Sequence, residues 1–135
     1  MLDSNVISEY LEFNGNDSVN SALTASAAGH RHCAFDSASL ECGHFGGDFL
    51  ACHFRDIECY WGLFHDALFV DRRFDRCTFR GTSFVDCRFL ECIFNDCQFL
   101  PDNLGSTCTA QGSQLYACAA SDSTGWNALF QPCKR

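Results

Sequence analysis

The sequence predicts an all-β solenoid, and three observations predict it. Phe occupies positions 79, 84, 89, 94 and 99, every fifth residue without a miss. Two residues before each Phe stands a small one: Cys77, Thr82, Cys87, Cys92 and Cys97. This period fits neither the 3.6-residue repeat of a helix nor the two-residue alternation of a single strand. One large and one small inward residue per unit instead describes a chain wound into stacked coils with flat walls.

On these residues, CTFRGTSFVDCRFLECIFNDCQFL, the chain resembles the pentapeptide-repeat family, whose units read small–x–Leu/Phe–x–x. The resemblance implies a right-handed quadrilateral β-helix, with four units to a coil and one unit to a wall. The central Leu or Phe would point inward, together with the small residue two before it. The chain also resembles the acidic members of that family that mimic duplex DNA. The expected layout is a single domain: residues 1–20 an N-terminal cap, about 21–120 the β-helix, and 121–135 a C-terminal cap or helix.

Within residues 1–20, Ser4 reads as the N-cap of a short helix carrying Val6, Ile7, Tyr10 and Leu11 on one side. Phe13-Asn14-Gly15-Asn16-Asp17 reads as a turn. The segment is either a cap over the first coil or a loosely ordered tail. Residues 21–32 leave two registers open, with centres at Leu23/Ala28 or at Ala25/His30. The second buries a His, at a cost unless its ring finds a partner.

From Cys33 the register is unambiguous. Centres fall at Phe35, Leu40 and Phe45; one residue is lost; then Phe49, Phe54, Cys59, Phe64, Phe69 and Phe74 lead into the Phe79–Phe99 run and on to Leu104. The one-residue slip predicts a kink or bulge in one wall. Cys59 is small for a centre, so the core there is expected to be thin or filled by a neighbour. Arg72 takes a small-residue position, where an unpaired charge is untenable, so it is expected to swing out or distort its coil. After Leu104 a step of six reaches Ala110, then Leu115 and Ala120 follow. Trp126, Leu129 and Phe130 make the apolar stripe of a short helix ended by Pro132. That stripe serves as an end cap or as a homodimer contact.

With four units per coil, residues twenty apart stack about 4.8 Å apart, the strand separation of a sheet. Cys77, Cys97 and Cys118 are expected in one inward ladder, and Cys87 and Cys108 in another. Such spacing permits disulfides. Two residues after the centres come Asp56, Asp66, Asp71, Asp86, Glu91 and Asp96. Asp is favoured at corners by its local hydrogen bonds, which accounts for part of this pattern. Yet Asp66 over Asp86 and Asp71 over Glu91 place like charges on adjacent rungs, which repel. One residue after the centres of another column come Leu50, Val70 and Leu90, with Leu68 nearby, an outward apolar wall of the kind that marks a contact surface.

The chain of 135 residues carries a formal net charge of −8 and a sequence pI near 4.8. A basic nucleic-acid-binding face is therefore not expected, and a basic partner is. Eleven Cys is an odd number, and most fall at one repeat position. With no signal-like start in MLDSNVISEY, they read as reduced core thiols of a cytoplasmic protein. No apolar run reaches membrane-spanning length. His30, His32 and Cys33 lack a second close ligand pair and are not expected to hold metal. Cys42 lies outside the inward positions, and Cys133 beside Lys134 and Arg135 is the better placed reactive thiol. No catalytic constellation or cofactor motif is present, so no enzyme is expected.

The expected function is a non-catalytic acidic protein that mimics duplex DNA and occupies the DNA site of a DNA-binding protein, whether a CRISPR effector complex, a nuclease or DNA gyrase. The acidic columns would make that contact, and the protein would act as a monomer or homodimer with no direct nucleic acid or membrane binding. The alternative is a protein-interaction scaffold or effector module working through the apolar wall of Leu50, Leu68, Val70 and Leu90.

Overall fold

The structure, a computed structural model, describes residues 7–24 and 29–130. Ser4, Val6, Ala25, Ala28, Pro132 and Cys133 lie outside the described residues. Each five-residue unit forms a short strand followed by a corner. The residue two after the centre takes a left-handed backbone, with φ of 52° to 59° at Asp56, Asp66, Asp71, Asp86, Glu91 and Asp96. That bend turns the chain from one wall to the next, and parallel, in-register pairing between coils builds four walls.

Wall 1 stacks Ile7–Glu9, Gly29–Arg31, Asp48–Leu50, Leu68–Val70, Arg88–Leu90 and Gln114–Tyr116. Six rungs at about 4.8 Å give a stack of about 24 Å. Wall 2 is centred on Phe13, Phe35, Phe54, Phe74, Phe94 and Ala120. Wall 3 follows Leu40, Cys59, Phe79 and Phe99, and wall 4 follows Phe45, Phe64 and Phe84. The Phe columns stack face to face, Phe54 on Phe74 and Phe74 on Phe94 at 4.7 Å between ring centres. Rings meet edge to face across the core, the other favoured aromatic geometry.

The inward small position explains the cysteine content. Its side chain donates to the carbonyl of a centre on the rung below. Cys77 reaches Phe54 O, Cys87 Phe64 O, Cys92 Phe69 O and Cys97 Phe74 O, at 3.1–3.5 Å. Thr82 does the same to Cys59 O at 3.1 Å. A small residue with a weak donor suits that place.

The N-terminal expectation is corrected. Ile7–Glu9 and Glu12–Asn14 are strands, not helix, and Ser8 and Phe13 already align with His30 and Phe35. The helix is α1, Asn16–Thr24, in the stretch read as a turn and as ambiguous repeat. It replaces walls 3 and 4 of the first coil and buries Val19 and Leu23 against the next. Gly46 N–H donates to Leu23 O, and Ser39 N–H to Asn16 Oδ1. The Ala25/His30 register is the one adopted from His30 onward, since His30 pairs with Phe49.

The one-residue slip falls at Gly46-Gly47, both buried, where Gly47 takes φ 118°. Cys59 is compensated by its neighbours. Ile57, at the small position, is 3% exposed, and the Phe45 ring lies over Gly43 and Gly62, where a Cβ would meet it at 2.2 and 2.9 Å. Arg72 swings out: it is exposed, and its Nε donates to Ala51 O.

Leu104 is not a centre. It is 83% exposed in a loop, and Ser83 bridges to Thr109, which sets Ala110 over Phe84. The extra residues after Leu100 form an insertion tied to wall 3, with Trp61 Nε1 donating to Asp102 at 2.7 Å and Asn103 N–H to Tyr60 Oη. Every later column therefore moves by one wall. Cys118 stands over Cys92 and Cys108 over Thr82, so the expected ladders beyond Cys97 are corrected.

The last centres are small. Leu115 covers Phe89, Ala120 covers Phe94, and Gly125 follows Thr124, which bridges Gln98. Into the space this leaves go α2, Trp126–Leu129, and Phe130. Phe130 is buried against Phe84, Phe89, Phe94 and Phe99 with ring centres at 5.4–6.0 Å. Trp126 and Leu129 are half-buried beside it. Among the described residues no helix is long and apolar enough to cross a membrane.

Candidate functional site

The acidic corner residues divide into two groups. Asp56 is committed within the chain: Arg76 makes a bidentate pair to it at 2.8 and 3.2 Å. That hydrogen bond holds the Asp56 carboxyl below the usual range. Register places Asp96 on the far side of Arg76, so this corner alternates in sign instead of repeating. The expected column of like charges does not extend to Asp56.

Wall 2 behind that corner is internally neutralised. Arg55 pairs with Asp36 at 2.8 Å. Asp75 is 6% exposed and accepts from His53 Nε2, Arg73 Nε and Nη2, and Asn95 Nδ2. Burial pushes its pKa up, but these donors outweigh burial and hold the carboxyl below the ordinary value.

Asp66, Asp71, Asp86 and Glu91 are arranged differently. Register sets Asp66 beside Asp86 at the corner entering wall 1, and Asp71 beside Glu91 at the corner leaving it. Asp66 pairs with His65 at 3.0 Å. Among the described residues no ion pair engages Asp71, Asp86 or Glu91. The left-handed corner itself favours Asp, which accounts for part of this pattern. It does not account for Glu91, which takes φ 56° without the short side chain that eases that backbone.

Between these two acidic edges runs the apolar strip. Leu50, Val70, Leu90 and Tyr116 align on successive rungs of wall 1. The first three are half-buried by stacking on one another, and Tyr116 is 68% exposed. Leu68 is half-buried on the same wall, aligned with Asp48 and Arg88. The structure thus brings Leu50, Leu68, Val70 and Leu90 together with Asp66, Asp71, Asp86 and Glu91. It places Asp56 and Asp96 on the next corner, and Trp126, Leu129 and Phe130 at the C-terminal end. Tyr116 was missed by the sequence reading because it comes after the insertion.

The remaining candidates separate. His30 points into the core, whereas His32 sits at a corner stacked on Tyr10 at 4.9 Å. Those two histidines share no site. Cys42 is an exposed corner residue with φ 58°. His65, Asp66 and Asp86 bring ligand atoms within 4.8 Å of one another, all on the exposed surface.

Neither a protein-family model nor a curated protein sequence matches the chain. Among solved structures it is similar to Rfr23, a pentapeptide repeat protein from the cyanobacterium Cyanothece 51142, with 6% identity and a TM-score of 0.48 over 89% of this chain and 90% of that one. It is also similar to QnrB1, a plasmid-mediated fluoroquinolone resistance protein, with 11% identity and a TM-score of 0.28 over 89% and 71%. The fold rests on the chain's own geometry instead: five residues to a wall, four walls to a coil, and parallel in-register rungs. By that geometry the chain is a four-walled β-helix built of five-residue units.

Proposed function

We propose that the protein is a non-catalytic acidic binding protein that occupies a basic, DNA-binding surface on another protein. The observation that carries this reading is the pair of acidic ladders, Asp66/Asp86 and Asp71/Glu91, along the two edges of wall 1. Duplex DNA carries about one charge per 1.7 Å of axis over both strands. Acidic rungs repeating at about 4.8 Å on two parallel edges are a coarse copy of that array. The stack of about 24 Å covers less than one turn of duplex, so a CRISPR effector complex or a nuclease suits a single copy, and DNA gyrase suits two copies end to end.

A second reading is favoured by the apolar strip. Leu50, Val70, Leu90 and Tyr116 form one outward column of the same wall, and an apolar strip bordered by charged residues is the anatomy of a protein–protein interface. In that case the protein is an interaction scaffold or effector module, and the acids set orientation.

Two variants separate the readings, measured as affinity for purified gyrase, a nuclease and a CRISPR effector complex. For a DNA decoy, Asp71→Arg/Glu91→Arg weakens binding at least tenfold, duplex DNA competes, and affinity falls steeply between 50 and 200 mM salt. Leu90→Asp then has little effect. For the apolar reading, Leu90→Asp abolishes binding and salt changes little. Neither variant is expected to cost more than about 1 kcal/mol of stability, because both sites face outward. Wild-type affinity from both variants in every case would sink wall 1 as the contact surface.

A further inference from the structure

The inward thiols form stacked pairs, and one of these pairs reaches the last rung. The small-position column of wall 2 reads Cys33, Cys52, Arg72, Cys92, Cys118. Because Arg72 swings out, Cys92 has no thiol beneath it and Cys118 is its single stacked partner. The Cys118 thiol leans toward the rung of Cys92, donating to Phe89 O at 3.2 Å. Ala119 N–H donates to Cys92 O at 3.1 Å, which fixes the two cysteines side by side. A rung spacing of about 4.8 Å lies within the Cα range of a disulfide.

Access and freedom of movement also differ. Cys77 and Cys97 are fully buried, whereas Cys118 is half-buried on the last rung. The strand after it, Ala119–Ser121, pairs on one side only, with Ile93–Asn95. An interior pair is clamped by rungs above and below; this pair is clamped from one side and can adjust its χ angles at lower cost.

We propose that Cys92 and Cys118 are a thiol oxidation site that closes to a disulfide under a peroxide and staples the terminal coil to the coil below. Cys118 acts first. Its thiolate attacks one peroxide oxygen and becomes a sulfenic acid, and the hydroxide released takes up a proton to leave as water. The Cys92 sulfur then attacks the sulfenic sulfur. The S–S bond forms, and the displaced hydroxide leaves as a second water with the Cys92 proton. Two thiols and one hydrogen peroxide become one disulfide and two waters. The neighbouring Cys92 thiol lowers the Cys118 pKa and so favours the thiolate, while Cys92 itself is pushed up. The ring so closed contains the insertion after Leu100 and the last turns of walls 3, 4 and 1, so oxidation would hold Tyr116 and the end of the apolar strip in place.

The test uses the full chain, reduced and then treated with hydrogen peroxide, with disulfides mapped by mass spectrometry of a non-reducing digest. The expected product has lost two hydrogens per chain and yields a Cys92–Cys118 cross-linked peptide. Cys118 is expected to alkylate with iodoacetamide at least about tenfold faster than Cys77 or Cys97. Cys92→Ser is expected to leave Cys118 as a sulfenic acid trapped by dimedone, and Cys118→Ser to abolish the product. The oxidised wild type is expected to unfold at a higher temperature than the reduced protein, and the Ser variants to show no such shift. A cross-link from Cys118 to any other cysteine, a Cys77–Cys97 product instead, or thiols that stay reduced would overturn the proposal.

Discussion

Phe130→Ala is expected to lower the unfolding free energy by about 3–4 kcal/mol, the range for truncating a buried aromatic ring. Phe130 is 7% exposed and touches the last Phe of all four columns, Phe84, Phe89, Phe94 and Phe99. The centres above those rings are Ala110, Leu115, Ala120 and Gly125, so three of four have no side chain able to fill the space. Nor can the rung collapse onto the cavity. A Cβ on Gly125 would lie 2.2 Å from the Phe99 carbonyl oxygen, and its φ of 82° fits few other residues. The measurement is urea unfolding at two protein concentrations tenfold apart. A plug within the chain predicts a concentration-independent loss, whereas a ring used between copies predicts a loss that grows on dilution. A change below about 1 kcal/mol would mean that the ring is not seated on the core.

The period of five was legible because large Phe centres recur at one spacing, and the sequence displays it without interruption from Phe64 to Phe99. What interrupts the column was less legible. Leu104 stands five after Phe99 and so satisfied the pattern, although it is a loop residue. Spacing alone does not say whether a Leu faces a core. Ser8 and Phe13 are one pair of units, with a Ser for a centre, before α1 displaces the remaining walls. Two units carry too little repetition to stand out. The acidic corners were found by position, but their partners come from the neighbouring rung. Asp56 is neutralised by Arg76, a full coil away in sequence. Wall 1 was identified from its apolar residues, with Asp71 and Glu91 beside them. Its second acidic edge, Asp66 and Asp86, follows from which corner enters it.

His30→Phe is expected to stabilise the protein by about 1–2 kcal/mol at neutral pH, against the usual direction of a core substitution. His30 is 3% exposed, stacked on Phe49 at 5.1 Å and edge-on to Phe13 and Phe35. Among the described residues neither ring nitrogen makes a hydrogen bond of good geometry. Phe continues the column of Phe49, Phe69 and Phe89 without burying two polar atoms. Burial lowers the His30 pKa from its ordinary value of 6.5, with the Ala22 backbone partly opposing the shift. The unfolded chain therefore binds the proton more readily than the folded one. Stability from this group is complete above about pH 6.5 and is lost as the pH falls below it, by up to about 1.4 kcal/mol per pH unit. Asp56 and Asp75 act in a lower window, since their folded pKa values lie below 3.8 and their contribution fades only under that pH. Unfolding free energies measured from pH 7.5 to 5 should thus decline in the wild type and stay flatter in His30→Phe, with the gap widening toward acid. Parallel profiles over that range would mean that the ring keeps its proton equilibrium on folding, and that a partner for it exists in the first coil.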